Sequence, residues 1–139
     1  MSMYGALDIS TSGLIAQRTR LESITANIVN KDTFLDASGQ NNPYQRKAVF
    51  FAPGNPGATT KAGRELGVHV AAIEDEKGFE PRYEPGNPYA DANGYVKYPA
   101  VNTVFEQLNA YEAQRAYEAN IAAAEATKTM AAQALRLLG

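Results

Sequence analysis

Apolar residues recur at helical spacing at both ends of the chain, and these ends enclose a segment with a different pattern. Over about residues 4–29, apolar side chains recur every seven positions, and one intermediate position is filled near the end of the run. Such a repeat predicts a helix with one stripe that faces a partner helix. The stripe consists of Leu7, Leu14, Leu21, Ile24 and Ile28.

The last part, about residues 101–138, predicts a longer helix because it contains no proline or glycine before Gly139. Thr103 and Glu106 have the spacing of a capping box, with Thr103 as the cap. At ~1.5 Å per residue this helix reaches about 55 Å, whereas a compact chain of this length has a radius of gyration of about 14 Å. Its seam alternates spacings of four and three residues, as in coiled coils, and consists of Tyr117, Ile121, Ala124, Lys128, Ala131, Leu135 and Leu138.

The middle differs in backbone chemistry, since all seven prolines lie between Pro43 and Pro99. Residues 44–52 and 66–73 are predicted strands, and Asn93-Gly94 predicts a hairpin turn before another short strand. The chain therefore divides into residues 1–30, 31–99 and 100–139. The predicted fold class is α+β, mainly α.

Periodicity alone leaves two arrangements open for the end helices. They pair with each other as an antiparallel coiled coil closed by the small Pro/Gly-rich β/loop segment, or both pack on one sheet of an ordinary α+β domain. Length favours the first, because the terminal helix extends beyond any partner of about 26 residues. Small residues cover most faces of its second half, which favours packing among helices of neighbouring copies.

Composition excludes several classes of protein and of site. The net charge of −2 gives no reason to expect nucleic acid or an anionic membrane surface as a partner. With no cysteine, disulfides, thiolate zinc sites and cysteine nucleophiles are excluded. No apolar run approaches the roughly 18 residues of a membrane span, and the first thirty residues do not have the pattern of a secretory signal. On these grounds the chain is expected in the cytoplasm or exported by another route.

No residue pattern predicts an active site, a metal site or a cofactor. His69, the one histidine, lies in a predicted strand without an evident catalytic partner. Glu74-Asp75-Glu76 reads as a solvated loop, and the residues from Asp91 onward lack the spacing of a calcium loop. Arg115, Tyr117 and Asn120 are either a helix surface with one buried tyrosine or a polar contact set between packed helices, which would fix their register.

Two asparagines mark the end of the first helix. Asn30 is a plausible stop, because asparagine tolerates the left-handed conformation that ends helices and its side chain can bond freed backbone groups. Asn27 is not explained in this way, since it lies inside the helix beside Ile28.

Four stretches together resemble the bacterial flagellar basal-body rod protein family, most closely its proximal-rod type. The first is "ALDISTSGLIAQRTRLESITANIVN", which includes an A-N-x-x-N motif, and the second is "NPYQRKAVFF". They are followed in order by "PGNPYADANGYVKYPAVN" and "QRAYEANIAAAEATKTMAAQAL". The resemblance covers about residues 4–138. Gln114 and Tyr89 depart from the family's usual residues, which bears only on fine contacts to neighbouring subunits.

The resemblance implies a non-enzymatic building block of the rod, the drive shaft that transmits torque and encloses the export channel. Implied partners are other copies, neighbouring rod proteins, the MS-ring with its FliE-type adaptor and, in transit, the flagellar type III export apparatus. No cofactor, nucleic acid or membrane span is implied. Export would need no cleaved signal peptide, and assembly would take place in the periplasm. The alternatives are another axial protein of the rod/hook family, a helical adhesin or an export chaperone, and, remotely, an enzyme.

In such an assembly the terminal helices form the inner coiled-coil layer and the middle forms an outer extension. We expect the ends to be mobile until docking orders them, and residues 53–64 to tolerate change. The Asn27 and Asn30 amides are expected to mark the corner where the first helix turns outward. The predicted assembly interface consists of Leu7, Leu14, Leu21, Ile24, Asn27, Ile28, Asn30, Arg115, Tyr117, Asn120, Ile121, Ala124, Ala131, Leu135 and Leu138.

Overall fold

Helices at the two ends of the chain enclose short strands in the computed structural model, which describes residues 2–139. The predicted α+β class with long terminal helices is confirmed. The elements in order are α1 (Met3–Val29), β1 (Arg46–Pro53), α2 (Lys61–Leu66), β2 (Val68–Glu76), β3 (Phe79–Tyr83), β4 (Tyr95–Pro99) and α3 (Thr103–Leu138).

The described residues form two compact units. One unit comprises residues 2–21, Val49–Ala72 and Ala110–Gly139. The other comprises Glu22–Ala48 and Ile73–Asn109. Each unit contains part of α1, part of α3 and part of the middle segment.

Side chains define both ends of α1. Ser2 begins the helix, since its Oγ accepts a hydrogen bond from the Gly5 N–H at 3.2 Å. At the other end, the Asn30 Nδ2 donates to the Ala26 carbonyl at 2.9 Å, and the Thr33 N–H donates to the Asn30 carbonyl. The expected left-handed conformation at Asn30 is wrong, because no non-glycine residue within 2–139 has a positive φ. The predicted stop and the predicted side-chain hydrogen bond to a freed backbone group are confirmed, since α1 ends at Val29 and the Asn30 amide bonds the Ala26 carbonyl.

The predicted capping box of α3 is also wrong, by one position. The cap is Asn102, whose Oδ1 accepts hydrogen bonds from the N–H groups of Val104 and Phe105 at 3.0 and 3.3 Å. Thr103 is the first helical residue. Glu106 does not return to the cap, because its carboxylate is buried and bonds side chains from other parts of the chain.

The strands form two small sheets of two strands each. β1 pairs with β2, close to the predicted strands, and β3 pairs antiparallel with β4, with Phe79 opposite Pro99 and Tyr83 opposite Tyr95. β3 is absent from the sequence-based prediction because Pro81 interrupts it, and proline is compatible with a strand that has one free edge. Asn93-Gly94 lies directly before β4 as predicted, and Gly94 has a φ of +83°. The connection nevertheless spans residues 84–94 rather than two residues.

The two units have cores of different composition. In the second unit, Val96 and Tyr98 of β4 are buried, and the Tyr98 ring packs against the Phe34 ring and beneath the Arg82 guanidinium. In the first unit, Ala16 of α1 and Ala113 of α3 are fully buried. Small side chains at buried helix positions allow close approach of the two backbones.

Candidate assembly interface

Asn27, in the last turn of α1, has no exposed surface and uses its whole amide in hydrogen bonds. Its Oδ1 accepts from the Lys47 N–H at 2.8 Å and from the Tyr44 hydroxyl at 2.9 Å. Its Nδ2 donates to the Lys47 carbonyl at 3.0 Å. Among residues 2–139, β2 is the one strand that pairs with β1. The amide therefore satisfies backbone groups on the free edge of β1 that would otherwise lack a partner.

Glu106, in the first turn of α3, is the second buried polar group of this cluster. Its side chain is 1% exposed, and it accepts hydrogen bonds from Asn27 Nδ2 at 3.2 Å and Arg46 Nε at 2.5 Å. Arg46 also contacts Glu76 at 3.1 Å. A buried carboxylate is tolerated only when it is paired and hydrogen-bonded. The cluster therefore joins the end of α1, the start of α3 and β1 within the second unit.

Burial also affects Tyr44, whose pKa is raised mainly by desolvation of the phenol. The hydroxyl therefore stays protonated at neutral pH and donates to Asn27. The backbone of Lys47 is bonded by Asn27, and its side chain forms an ion pair in which Nζ lies 2.7 Å from Asp75 Oδ1.

In the first unit, two polar residues of α1 hold the segment that contains α2. The Asp8 Oδ2 accepts from the Thr60 N–H at 2.9 Å, at the start of α2. Ser12 Oγ accepts from the Val68 N–H at 3.1 Å, just after α2 ends. Residues 54–67 are therefore fixed to α1 at both ends of the short helix.

Two glycines, Gly63 within α2 and Gly67 directly after it, allow this docking. A Cβ at Gly63 would lie 2.7 Å from the Asp8 Cβ. A Cβ at Gly67 would lie 3.0 Å from the Ser12 Oγ and would meet the Gly63 carbonyl oxygen even more closely. The expectation that residues 53–64 tolerate change therefore does not extend to the α2 glycine at 63.

We predict that acid weakens this contact through Asp8. Hydrogen bonding, first from the Thr60 side chain and then from its backbone, holds the pKa of Asp8 below 3.8. A lowered folded pKa gives stability that is present above the unfolded pKa and is lost as the pH falls through the folded pKa. The difference in melting temperature between the wild type and Asp8→Asn should therefore shrink from neutral pH towards about pH 3. A difference that does not change with pH would contradict the prediction.

Helices α1 and α3 contact each other in the first unit through small and polar residues. The Arg20 guanidinium lies 3.2 Å from Glu112. A Cβ at Gly13 would lie 2.7 Å from both Asn120 amide atoms, so the Asn120 amide would have to move to admit any larger residue. Asn120 itself donates to the Ala116 carbonyl at 2.8 Å. No sequence pattern indicated the roles of Gly13, Asp8 and Ser12, and the pattern around Glu106 predicted a capping box rather than a buried carboxylate.

The predicted interface residues fall into three groups by exposure in the single chain. Ile24 and Asn27 are buried. The half-buried group contains Leu7, Leu14, Leu21, Ile28, Asn30, Tyr117, Asn120, Ala124 and Ala131. The exposed group contains Arg115, Ile121, Leu135 and Leu138. The exposed residues lie on α3, and Leu135 and Leu138 are 70% and 86% exposed.

The described residues contain no cluster with metal-binding chemistry and no helix of membrane-spanning character. Among residues 2–139, no three acidic or histidine side chains are placed to hold a metal ion. No helix there is long and apolar enough to cross a membrane. His69 contacts the Gly54 carbonyl through Nδ1 at 2.7 Å, next to the turn that precedes α2. Large apolar side chains are exposed both near the start of α3 and in its last turns.

Comparison with known proteins identifies the family. Residues 92–137 match the family model described as flagellar basal body rod FlgEFG protein C-terminal. The chain is 40% identical to the flagellar basal-body rod protein FlgC of Salmonella typhimurium, over 99% of this chain and 98% of that protein. It is 34% identical to FlgC of Bacillus subtilis, over 99% of both chains.

The chain belongs to the FlgC family of flagellar basal-body rod proteins. FlgC proteins are structural components, so the chain is a structural subunit of the rod in the flagellar basal body, where it assembles with other basal-body components. FlgC of Aquifex aeolicus is also 37% identical, over 92% of this chain. Relatives from such different bacteria, matched over nearly their whole length, favour the FlgC family over another axial protein of the rod and hook.

Proposed function

We propose that this FlgC-family chain forms part of the proximal rod through its two terminal helices, paired as an antiparallel coiled coil. Residues 1–30 and 100–139 would line the export channel, and residues 31–99 would extend outward. The helix contacts of the first unit support this pairing. Gly13 contacts Asn120, and Arg20, seven residues later on α1, contacts Glu112, which lies about as far back along α3. Partners that run in opposite directions along the two helices are expected of an antiparallel pair.

The observation that carries the proposal is the exposed leucine pair, Leu135 and Leu138, in the last turns of α3. Residues three apart on a helix share a face. A contiguous apolar patch on a single chain marks an interaction site. In the rod, neighbouring subunits would cover this face, and the torque passed along the shaft would be carried by such helix contacts.

The route to the rod and the partners within it follow from family membership. The subunit would pass unfolded through the flagellar type III export apparatus without a cleaved signal peptide, and would assemble in the periplasm. The absence of cysteine suits such transit. Its neighbours would be other copies, adjacent rod proteins and, at the base, the MS-ring with its FliE-type adaptor.

A charge in the exposed leucine pair tests the proposal. Leu138→Asp should abolish swimming and remove the chain from isolated basal bodies, because burial of an unpaired carboxylate costs several kcal/mol. Leu137→Asp is the matched control, since Leu137 is 88% exposed but lies on another face of the same turn.

Two readouts separate assembly from export. Immunoblots should find the Leu138→Asp chain in the periplasmic fraction and not in the basal bodies, whereas the Leu137→Asp chain should be found in both. Wild-type swimming by the Leu138→Asp strain would contradict the assigned interface.

A further inference from the structure

The sheet of β3 and β4 has an outer edge on each strand, and such an edge is a place where a strand of another molecule can add. Within the described residues, 2–139, the sheet contains these two strands alone. In an antiparallel pair, residues whose backbone groups point to the partner strand alternate with residues whose groups point outward. The Glu84 N–H donates to the Gly94 carbonyl at 2.8 Å, which fixes this alternation in the observed register. The outward residues are Phe79, Pro81 and Tyr83 on β3 and Tyr95, Lys97 and Pro99 on β4.

Hydrogen bonds from two other residues close the outer edge of β4. The Tyr95 N–H donates to the Asp91 Oδ1 at 2.9 Å, and the Tyr95 carbonyl accepts from the Asp91 N–H at 2.9 Å. The Lys97 N–H donates to the Asn41 Oδ1 at 3.3 Å, and the Lys97 carbonyl accepts from the Asn41 Nδ2 at 3.1 Å. Pro99, the next outward residue, has no N–H. Every outward N–H of β4 therefore has a partner in the same chain.

The outer edge of β3 is protected by proline instead. Pro81 is the middle one of the outward residues and has no N–H to donate. Proline at such a position interrupts the row of donors that an added strand would need. β3 is also only five residues long, and short edge strands limit strand addition. Both edges of the sheet are thus poor partners for another strand.

An amide covers a strand edge at a second place in the same unit. The Asn27 amide bonds the N–H and the carbonyl of Lys47 on β1, as the Asn41 amide bonds both backbone groups of Lys97. A side-chain amide carries a donor and an acceptor side by side. It can therefore take the place that the backbone of a neighbouring strand would occupy. The recurrence supports a protective role for Asn41.

We propose that Asn41, Asp91 and Pro81 prevent the second unit from pairing its strands with those of a second copy. The side chains beside the edge make this protection necessary. Phe79 and Tyr83 are 50% and 66% exposed, and aromatic side chains stabilise a strand pair that brings them together. Unprotected edges of this kind lead to aggregation. Protected edges keep free subunits apart until other surfaces join them.

Returning a donor to the edge of β3 tests the proposal. Pro81→Thr introduces an outward N–H and a residue that favours strands. In analytical ultracentrifugation, the purified variant should form dimers and larger species at a concentration at which the wild type does not. These species should also increase thioflavin T fluorescence, which reports added β-structure.

Lys97→Thr is the matched control. Lys97 lies directly opposite Pro81 on the same face of the sheet, and the N–H at position 97 stays bonded to Asn41. The control also uncovers the Phe79 ring, on which the Lys97 ammonium lies, so it reports the effect of added apolar exposure. Lys97→Thr should sediment as the wild type does. Equal sedimentation of the two threonine variants would overturn the role of Pro81.

Hydrogen exchange provides a second test, which does not require Pro81→Thr to fold. In Asn41→Ala the Lys97 amide should exchange about five- to tenfold faster than in the wild type, because its hydrogen bond is lost. The Val96 amide points to β3 and should keep its rate. Unchanged exchange at Lys97, or sedimentation of Asn41→Ala without larger species, would contradict the protective role of the amide. Both experiments use the purified chain, so their outcome does not depend on its proposed place in the rod.

Discussion

Replacement of Asn27 by leucine should lower the free energy of unfolding by about 3–5 kcal/mol, because buried backbone groups left without a hydrogen bond cost about 1–3 kcal/mol each. The Lys47 N–H and carbonyl both lose their bond to the Asn27 amide, and Glu106 and Tyr44 lose one bond each. Leucine has a better helix propensity than asparagine by a few tenths of a kcal/mol. Destabilisation would therefore be due to the lost amide rather than to the helix.

The measurement is the midpoint of urea unfolding together with swimming of the complemented strain. Single domains have a stability of about 5–15 kcal/mol, so the predicted loss should also stop rod assembly. Asn30→Leu is the matched control. It loses the bond to the Ala26 carbonyl at a half-exposed helix end and should cost about 1 kcal/mol. Equal midpoints for Asn27→Leu and the wild type would show that the amide is not needed.

The long helices were predictable because the periodic spacing of their apolar residues is visible among residues close together in the sequence. The error at the start of α3 has a local cause, since Asn102 and Thr103 are both good caps and only the backbone decides between them. The role of Glu106 was hidden for another reason. Its partners Asn27 and Arg46 lie 79 and 60 positions earlier in the chain, and no local pattern contains that information.

The contacts of α1 within the chain repeat every seven residues, as the heptad predicted, but they use residues one position before the predicted stripe. Contacts with α3 and with Glu106 use Gly13, Arg20 and Asn27, each directly before a residue of the predicted stripe. Adjacent residues lie about 100° apart around a helix, so the two sets of residues face different directions. The seven-residue repeat alone does not distinguish them, because both sets have it. The stripe of Leu7, Leu14, Leu21 and Ile28 is half-buried in the single chain, and its part in assembly stays a prediction.

The segment that contains α2 could not be predicted from composition. Its six-residue helix is too short to show periodicity, and its proline- and glycine-rich surroundings are typical of a loop. One sequence signal was available: Gly63 and Gly67 are two glycines within one short segment, and glycine allows close approach of a backbone to its neighbours. The partners on α1, Asp8 and Ser12, are four apart.

Gly13→Leu should separate α1 from α3 and abolish rod assembly. Even a Cβ at this position would lie 2.7 Å from the Asn120 amide atoms, so the amide would have to move. For Gly13→Ala two effects nearly cancel, since alanine gains about 1 kcal/mol of helix propensity. Against this, movement of Asn120 costs its hydrogen bond to Ala116, also worth about 1 kcal/mol.

Leucine adds three further carbons that movement of one amide cannot accommodate, and overpacking costs about 1–3 kcal/mol or more. Thermal unfolding and swimming of Gly13→Leu should both be impaired, and Asn120→Ala in the same chain should restore part of the loss by removing the clashing amide. Thr11→Leu, at an exposed position of the same helix, is the control and should behave as the wild type. If Gly13→Leu melts and swims as Thr11→Leu does, the two helices do not approach closely at this position, and the antiparallel pairing proposed for the inner layer of the rod loses its main support.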